Sequence, residues 1–398
     1  MLKNYLIIIV VFSTFAIKAQ KFENLAKTPP MGWNSWNTFA CDIDEKLIRE
    51  TADLLVSTGM KEAGYTYVNI DDCWHGERDS MGWIHANKVH FPNGIKSVAD
   101  YVHSKGLKIG IYSDAGWQTC GGRPGSRGYE FQDAKTYAIW GIDYLKYDWC
   151  NTEGLNAEEA YKTMANAIVA AKRPIVFSLC EWGNNKPWLW GAKYGHLWRT
   201  TGDICNCFDC EIGHGDWSSL GVLQIFDKQV DLRKYAGPGH WNDPDMMEVG
   251  NGMTVSEDRA HFSLWCMLAA PLIAGNDLRK MNKETLEILT NKEMIAIDQD
   301  LLGIQCFKWF DYGDLEIFAK PLANNELAVC ILNRGVSIRK ISLDWKKENI
   351  NDQGNSYNFN KDIYKIRDVW THKDIGNTSK VFDAEIPSHD VIVLRLKK

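Results

Sequence analysis

The chain has 398 residues, 45% of them hydrophobic and 24% charged, a length that exceeds what one ordinary core serves and predicts two domains. Its net charge of −6 gives no electrostatic reason to expect a nucleic-acid partner and suits a neutral substrate.

The first segment reads as an address. Lys3 gives a basic start, residues 6–15 form a short apolar run, and Ala19 offers a small residue at a cleavage point. That order predicts a secretory signal peptide over 1–19, cut after Ala19. The apolar run falls short of the roughly 20 residues a spanning helix needs, so the mature chain is expected to have no membrane span and to be secreted or periplasmic. All eleven cysteines follow this segment, which would expose them to an oxidising compartment where disulfides persist. The odd number leaves at least one unpaired within the chain.

From about residue 25 to 300, short β-branched or aromatic runs alternate with longer amphipathic stretches. The strand-like runs are 31–36, 65–73, 107–114, 144–150, 174–181, 197–204, 241–246 and 271–275. Helical periodicity is clearest over 45–58, 94–105, 131–140, 157–171 and 256–269, and is blurred by Trp and Gly over 184–197. Eight βα units at this spacing predict a (β/α)8 TIM barrel. Over 301–398 the pattern changes to short alternating runs at 315–320, 327–332, 337–343, 364–368 and 391–396, punctuated by Asn, Asp and Gly. That predicts a C-terminal antiparallel β-sandwich.

Barrel strands aim their C-terminal residues at the active face. This chain closes its apolar runs with acids there: Asp71 and Asp72, Asp114, Asp148, Glu181, Asp203, Asp243 and Asp245. One such acid is an ordinary turn residue, but acids at six strand ends carry a cost in like-charge repulsion that needs a reason. In 144–150 the strand period puts Tyr144, Lys146, Asp148 and Cys150 on one face, and Leu145, Tyr147 and Trp149 on the other. A neighbouring ammonium favours an ionised carboxylate, as a nucleophile requires; a structural Lys–Asp pair is the competing reading. Over 198–203 the same alternation would bring Arg199, Thr201 and Asp203 to the mouth. Two carboxyl groups in unlike fields divide acid and base work, as glycoside cleavage demands. The seventeen Trp residues supply aromatic faces suited to the C–H faces of sugars, although most belong to cores.

Seven motifs occur in order: 30–36 (PMGWNSW), 69–74 (NIDDCW), 108–114 (KIGIYSD), 145–148 (LKYD), 178–182 (SLCEW), 198–201 (WRTT) and 237–246 (GPGHWNDPDM). With these the sequence resembles glycoside hydrolase family 27, the α-galactosidase (melibiase) family, from about Pro29 to the C-terminus. The resemblance implies a barrel followed by a β-sandwich and a retaining double displacement on terminal α-D-galactose. It assigns Asp148 as nucleophile and Asp203 as acid/base. It implies that Asp71 and Asp72 hold the sugar's 4- and 6-hydroxyls, that Trp36 walls the ring, and that Tyr112, Lys146 and Arg199 meet hydroxyls. Met246, Cys120, Cys180 and Trp182 complete the implied binding set. Disulfides Cys41–Cys73 and Cys120–Cys150 are implied as well, with no cofactor and no metal.

Relatives acting on N-acetylgalactosaminides carry small residues where this chain has Cys180-Glu181-Trp182, and β-L-arabinopyranosidases alter the paired acids that are intact here. Those two activities, and a catalytically silent galactose-binding protein, are the alternatives. A metal-dependent hydrolase using Asp71, Asp72, Asp243 and Asp245 is a further rival, although the strand ends lack a histidine set. Cys205, Cys207 and Cys210 depart from the family pattern. With His214 they could form a zinc cluster, but exported thiols more often oxidise.

Overall fold

The computed structural model describes residues 21–398, so the expected signal peptide over 1–19 lies outside the described residues. Eight parallel strands occupy the eight expected runs: β1 Met31–Asn34, β2 Tyr67–Asn69, β3 Lys108–Asp114, β4 Tyr144–Asp148, β5 Val176–Leu179, β6 Leu197–Arg199, β7 Trp241–Asp243 and β8 Leu272–Ala274. From β1 to β7 each strand pairs with its sequence neighbour, and β8 pairs with β1. The seam between β7 and β8 is closed just beyond β7, where Met247 bridges Ala274.

The helices between them are α1 Glu45–Ser57, α2 Gly94–Ser104, α3 Glu130–Trp140, α4 Ala157–Ala170, α5 Val222–Gln229 and α6 Val255–Leu268. Two shorter ones, α7 Lys283–Leu289 and α8 Lys292–Asp298, follow β8. Side chains fix several starts: Asp44 accepts from the Leu47 N–H at 2.7 Å, and Thr254 with Glu257 forms a reciprocal capping box. Such caps are worth about 1 kcal/mol each. The blurred segment after β5 holds two 3₁₀ turns, Pro187–Leu189 and Gly191–Lys193, with proline opening the first.

Inside the barrel, the first residues of five strands meet as one buried layer: Tyr67, Tyr144, Val176, Leu197 and Trp241. The Tyr67 and Tyr144 rings lie 5.5 Å apart. This apolar plug closes the bottom, so polar residues further along the same strands open only upward. Gly110 allows the next layer to fill: a Cβ there would stand 1.9 Å from Asn69 Oδ1. On the outer face of β4, Leu145 and Tyr147 pack into the core between strands and helices, as the period of two requires.

The C-terminal region is antiparallel. Its main sheet contains β9 Phe307–Asp311, β10 Leu315–Leu322, β11 Glu326–Asn333, β13 Lys365–Asp368, β14 Lys373–Asn377 and β16 Val391–Lys397, in the order β9-β10-β11-β16-β13-β14. A second layer pairs β12 Arg339–Leu343 with β15 Phe382–Ile386. Alternation sorts the central strands: Ile317, Val329 and Ile331 face the sandwich interior, while Phe318, Ala328, Cys330 and Leu332 join the barrel's core. Helix α6 packs against that second face. Among the described residues, no helix is long and apolar enough to cross a membrane.

Candidate active site

The mouth of the barrel gathers Trp36, Asn37, Asp71, Asp72, Tyr112, Cys120, Lys146, Asp148, Trp182, Arg199, Asp203, Asp245 and Met246 around one cavity. Every residue of the implied catalytic and binding set lines it except Cys180. That thiol is buried one layer down, in an adjoining cavity that shares Lys146, Arg199, Asp245 and Met246, with its sulfur 3.7 Å from Arg199 Nη1.

Asp148 ends β4 and is buried. The Tyr112 hydroxyl donates to its Oδ2 at 2.9 Å, and the Trp149 N–H donates to Oδ1 at 3.0 Å. Burial pushes this carboxyl up to about 6, against the downward pull of the Lys146 ammonium. Lys146 itself bonds Asp71 Oδ2 at 2.9 Å. Although burial works against its charge, the surrounding carboxylates led by Asp71 hold the ammonium well above its usual range. Asp71 also accepts from Asn34 Nδ2 at 2.7 Å, while Asp72 Oδ2 accepts from the Gly121 N–H at 2.7 Å.

Asp203 sits differently from the expectation. The run over 197–204 is a strand only through Arg199, and the backbone bends at Thr201 and Gly202. Thr200 still donates its N–H to the Asp243 carbonyl at 3.0 Å, while its hydroxyl lies 3.0 Å from Gln229 Oε1, and the chain turns away only after it. Thr201 is therefore buried, and Asp203 is carried on the following loop with its side chain 40% exposed. There the Leu220 N–H donates to the Asp203 carbonyl at 2.8 Å. Arg199 Nη2 ties the arrangement together, 3.1 Å from Asp203 Oδ1 and 2.8 Å from Asp245 Oδ2.

Of the other strand-end acids, Asp245 belongs to the cavity and the rest do not. Burial raises Asp245 to about 7 despite the nearby Arg199 charge. Its backbone has φ +89°, and Trp182 has φ +57°; both are left-handed conformations that side chains normally avoid and that are held only where the surroundings over-determine them. Asp114 turns aside to accept from the Gly116 and Cys150 N–H groups at 2.6 and 2.9 Å, and burial with the Asp148 charge pushes it up to about 9. Glu181 accepts from the Asn185 N–H at 2.5 Å and so shapes the turn that presents Trp182. Asp243 lines the deeper cavity. Asn37, which the sequence did not single out, lines the mouth and donates to Glu248 Oε1 at 2.5 Å.

Disulfides join Cys41 to Cys73, Cys120 to Cys150 and Cys207 to Cys210. The second ties the loop carrying Cys120 to the residues just past Asp148. The third removes two sulfurs from the zinc cluster considered above, and His214 instead lies 2.9 Å from Ser219 Oγ. In the rival four-aspartate metal set, Asp71 Oδ2 is paired with the Lys146 ammonium and Asp245 Oδ2 with the Arg199 guanidinium. Elsewhere, a cavity of about 650 Å³ between barrel and sandwich is lined by Arg259, Glu293 and His372. Of these, Arg259 is paired with Asp390 and His372 with Glu293.

A (β/α)8 mouth with carboxyl groups in unlike surroundings over one small cavity is the arrangement a glycoside hydrolase uses, and the chain's relatives place it in that class. The profile described as Alpha galactosidase A matches residues 28–300, and that of the Alpha galactosidase C-terminal beta sandwich domain matches 312–396. The chain belongs to this alpha-galactosidase family. It is 61% identical over 380 residues to Alpha-galactosidase A of Cellvibrio japonicus, covering 95% of this chain and 94% of that one. It is 49% identical over 370 residues to an Alpha-galactosidase of Cyamopsis tetragonoloba, covering 92% and 85% respectively. The crystal structure of alpha-galactosidase I from Mortierella vinacea superposes with a TM-score of 0.87 at 39% identity, covering 94% of this chain and 98% of that one.

Proposed function

We propose that this chain is a secreted, retaining exo-α-galactosidase in which Asp148 attacks the anomeric carbon and Asp203 serves as acid and then base. The observation that carries this reading is the shared cavity: a buried, hydrogen-bonded Asp148 and a half-exposed Asp203 line the same small space. In the first step the Asp148 carboxylate forms a bond to the anomeric carbon while Asp203 gives its proton to the departing oxygen. Lys146 and Tyr112 stabilise the anionic form of Asp148 until the bond is made. In the second step Asp203, now ionised, takes a proton from water, which displaces Asp148 and releases galactose with its configuration retained.

Substrate choice follows from the fixed acceptors. Asp71 and Asp72 are oriented by Asn34, Lys146 and Gly121, and would receive the 4- and 6-hydroxyls of galactose. The wrong epimer would leave these buried acceptors unpaired, which costs far more selectivity than a missing methylene. Trp36 and Trp182 wall the ring, and Trp182 fills the volume an acetamido group would need. The disulfides suit an oxidising, extracellular setting, in keeping with a signal peptide over 1–19 and with a catalytic region over 25–300 followed by a sandwich over 301–398.

The test is hydrolysis of p-nitrophenyl α-D-galactoside followed by NMR in the first minutes. Release of α-galactose as the first anomer is expected. First release of the β-anomer would overturn the double displacement, and absence of hydrolysis would overturn the function.

A further inference from the structure

Between Asp203 and helix α5 the chain makes a detour. The Cys207–Cys210 disulfide opens it, and an antiparallel hairpin of Glu211–Gly213 with Ser218–Leu220 completes it. The turn is closed by the His214 N–H donating to the Trp217 carbonyl at 2.8 Å, and Gly215, at φ +94°, supplies the left-handed residue that this closure requires. The His214 ring stacks on Trp217 at 4.2 Å and is itself held by Ser219. One face of the indole is thus braced, yet Trp217 remains 51% exposed.

Trp217 lines a second cavity, of about 560 Å³, within the size range of ordinary ligand sites. It is continuous with the catalytic mouth, because Trp36, Asn37 and Asp203 line both. The same cavity is lined by Glu248 and Asn251, and Glu248 is buried and bonded to both Asn37 and Asn251. A cavity lined by an exposed indole together with amide and carboxylate groups matches an uncharged, hydroxyl-rich ring, whose C–H bonds would lie on the indole and whose hydroxyls would meet the polar groups. Position identifies which ring. The cavity begins at Asp203, the group proposed to protonate the departing oxygen, so what leaves with that oxygen must enter here.

We infer that the hairpin over 211–220 builds a binding site for the leaving-group saccharide, with Trp217 as its stacking platform, so that α-galactosides of oligosaccharides are preferred over those of small leaving groups. This rests on the assignment of Asp203 made above. The braced indole provides binding without ordering cost, since the hairpin, the disulfide and His214 hold it before substrate arrives.

The experiment compares kcat/KM of the wild type, Trp217→Ala and Trp217→Phe on two substrates: an α-galactosyl trisaccharide and α-galactosyl fluoride, whose leaving group is too small to reach Trp217. Trp217→Ala should lose about tenfold on the trisaccharide, chiefly through KM, and stay within about twofold on the fluoride. Trp217→Phe should recover most of the loss. Equal activity of Trp217→Ala and wild type on the trisaccharide would overturn the inference, as would parallel loss on both substrates. Those two outcomes leave the proposed function standing, whereas a wild type inert toward both substrates would remove the function and this inference together.

Discussion

Tyr112 donates its phenolic hydrogen to Asp148 Oδ2 across 2.9 Å, although the residue paired with it in the sheet is Lys146 and not Asp148. The tyrosine therefore reaches one step up the neighbouring strand to hold the carboxylate from the side. A hydrogen bond given to a carboxylate favours its ionised form. Tyr112→Phe should raise the Asp148 pKa above its present value of about 6 and move the acidic limb of the kcat/KM profile to higher pH. Activity should fall about tenfold at pH 5 and less at pH 7. An unmoved limb in the pH–rate profile would refute this role.

Asp148→Ala should lower turnover on aryl α-galactosides by about 10⁴-fold or more, as expected when a nucleophile is removed. Azide should restore part of the rate and give β-galactosyl azide, which product NMR identifies. Near-normal turnover in this variant would mean that another group attacks.

Asp203→Ala should act through the leaving group. Poor leaving groups need the proton and should lose about 10²–10⁴-fold, while good ones lose much less in the first step. A series of aryl galactosides with graded phenol acidity measures the slope. The assignment fails if every member loses equally.

Stability should depend on pH in a direction set by buried acids. Burial raises Asp114 to about 9, Asp298 to about 8, and Asp245, Asp258 and Glu181 to about 7. Each binds its proton more tightly when folded, so its contribution is fully present below about pH 4 and lost as pH rises through the folded value. Buried His196 and His261, lowered by burial to about 4 and 3, oppose this below about pH 6.5 and not above it. Thermal melts should therefore show Tm falling from pH 6.5 to 9, and Asp114→Asn should flatten the upper part of the fall. A Tm that rises across this range would contradict the argument.

Much of this was legible in the chain. The eight barrel runs are rich in β-branched and aromatic residues and six of them close on acids, so both position and direction could be read from them. Asp203 was legible as a residue but not in its placement, because alternation through Thr201 cannot anticipate that the strand ends at Arg199 and the backbone bends at Thr201 and Gly202. Asp114 and Glu181 look like mouth acids in sequence, yet Asp114 accepts from the Gly116 N–H and Glu181 Oε2 from the Asn185 N–H, in local turns. In the sandwich, β15 alternates Phe, Asp, Ala, Glu and Ile and could have been found, whereas β14 is mostly exposed and polar and gives no such signal. The pairing of Cys207 with Cys210 was out of reach, since spacing does not decide among partners.

The second face of the sandwich has a consequence for the whole enzyme. Phe318, Ala328, Cys330, Leu332, Val391 and Val393 are sealed into the same apolar interior as helix α6, which leads into β8. Neither half can melt without baring the other's interior, so they share one reserve of free energy. An inherited or engineered change deep in the C-terminal third can therefore silence the catalyst from a distance, by draining that common reserve while every sugar-facing atom stays in place.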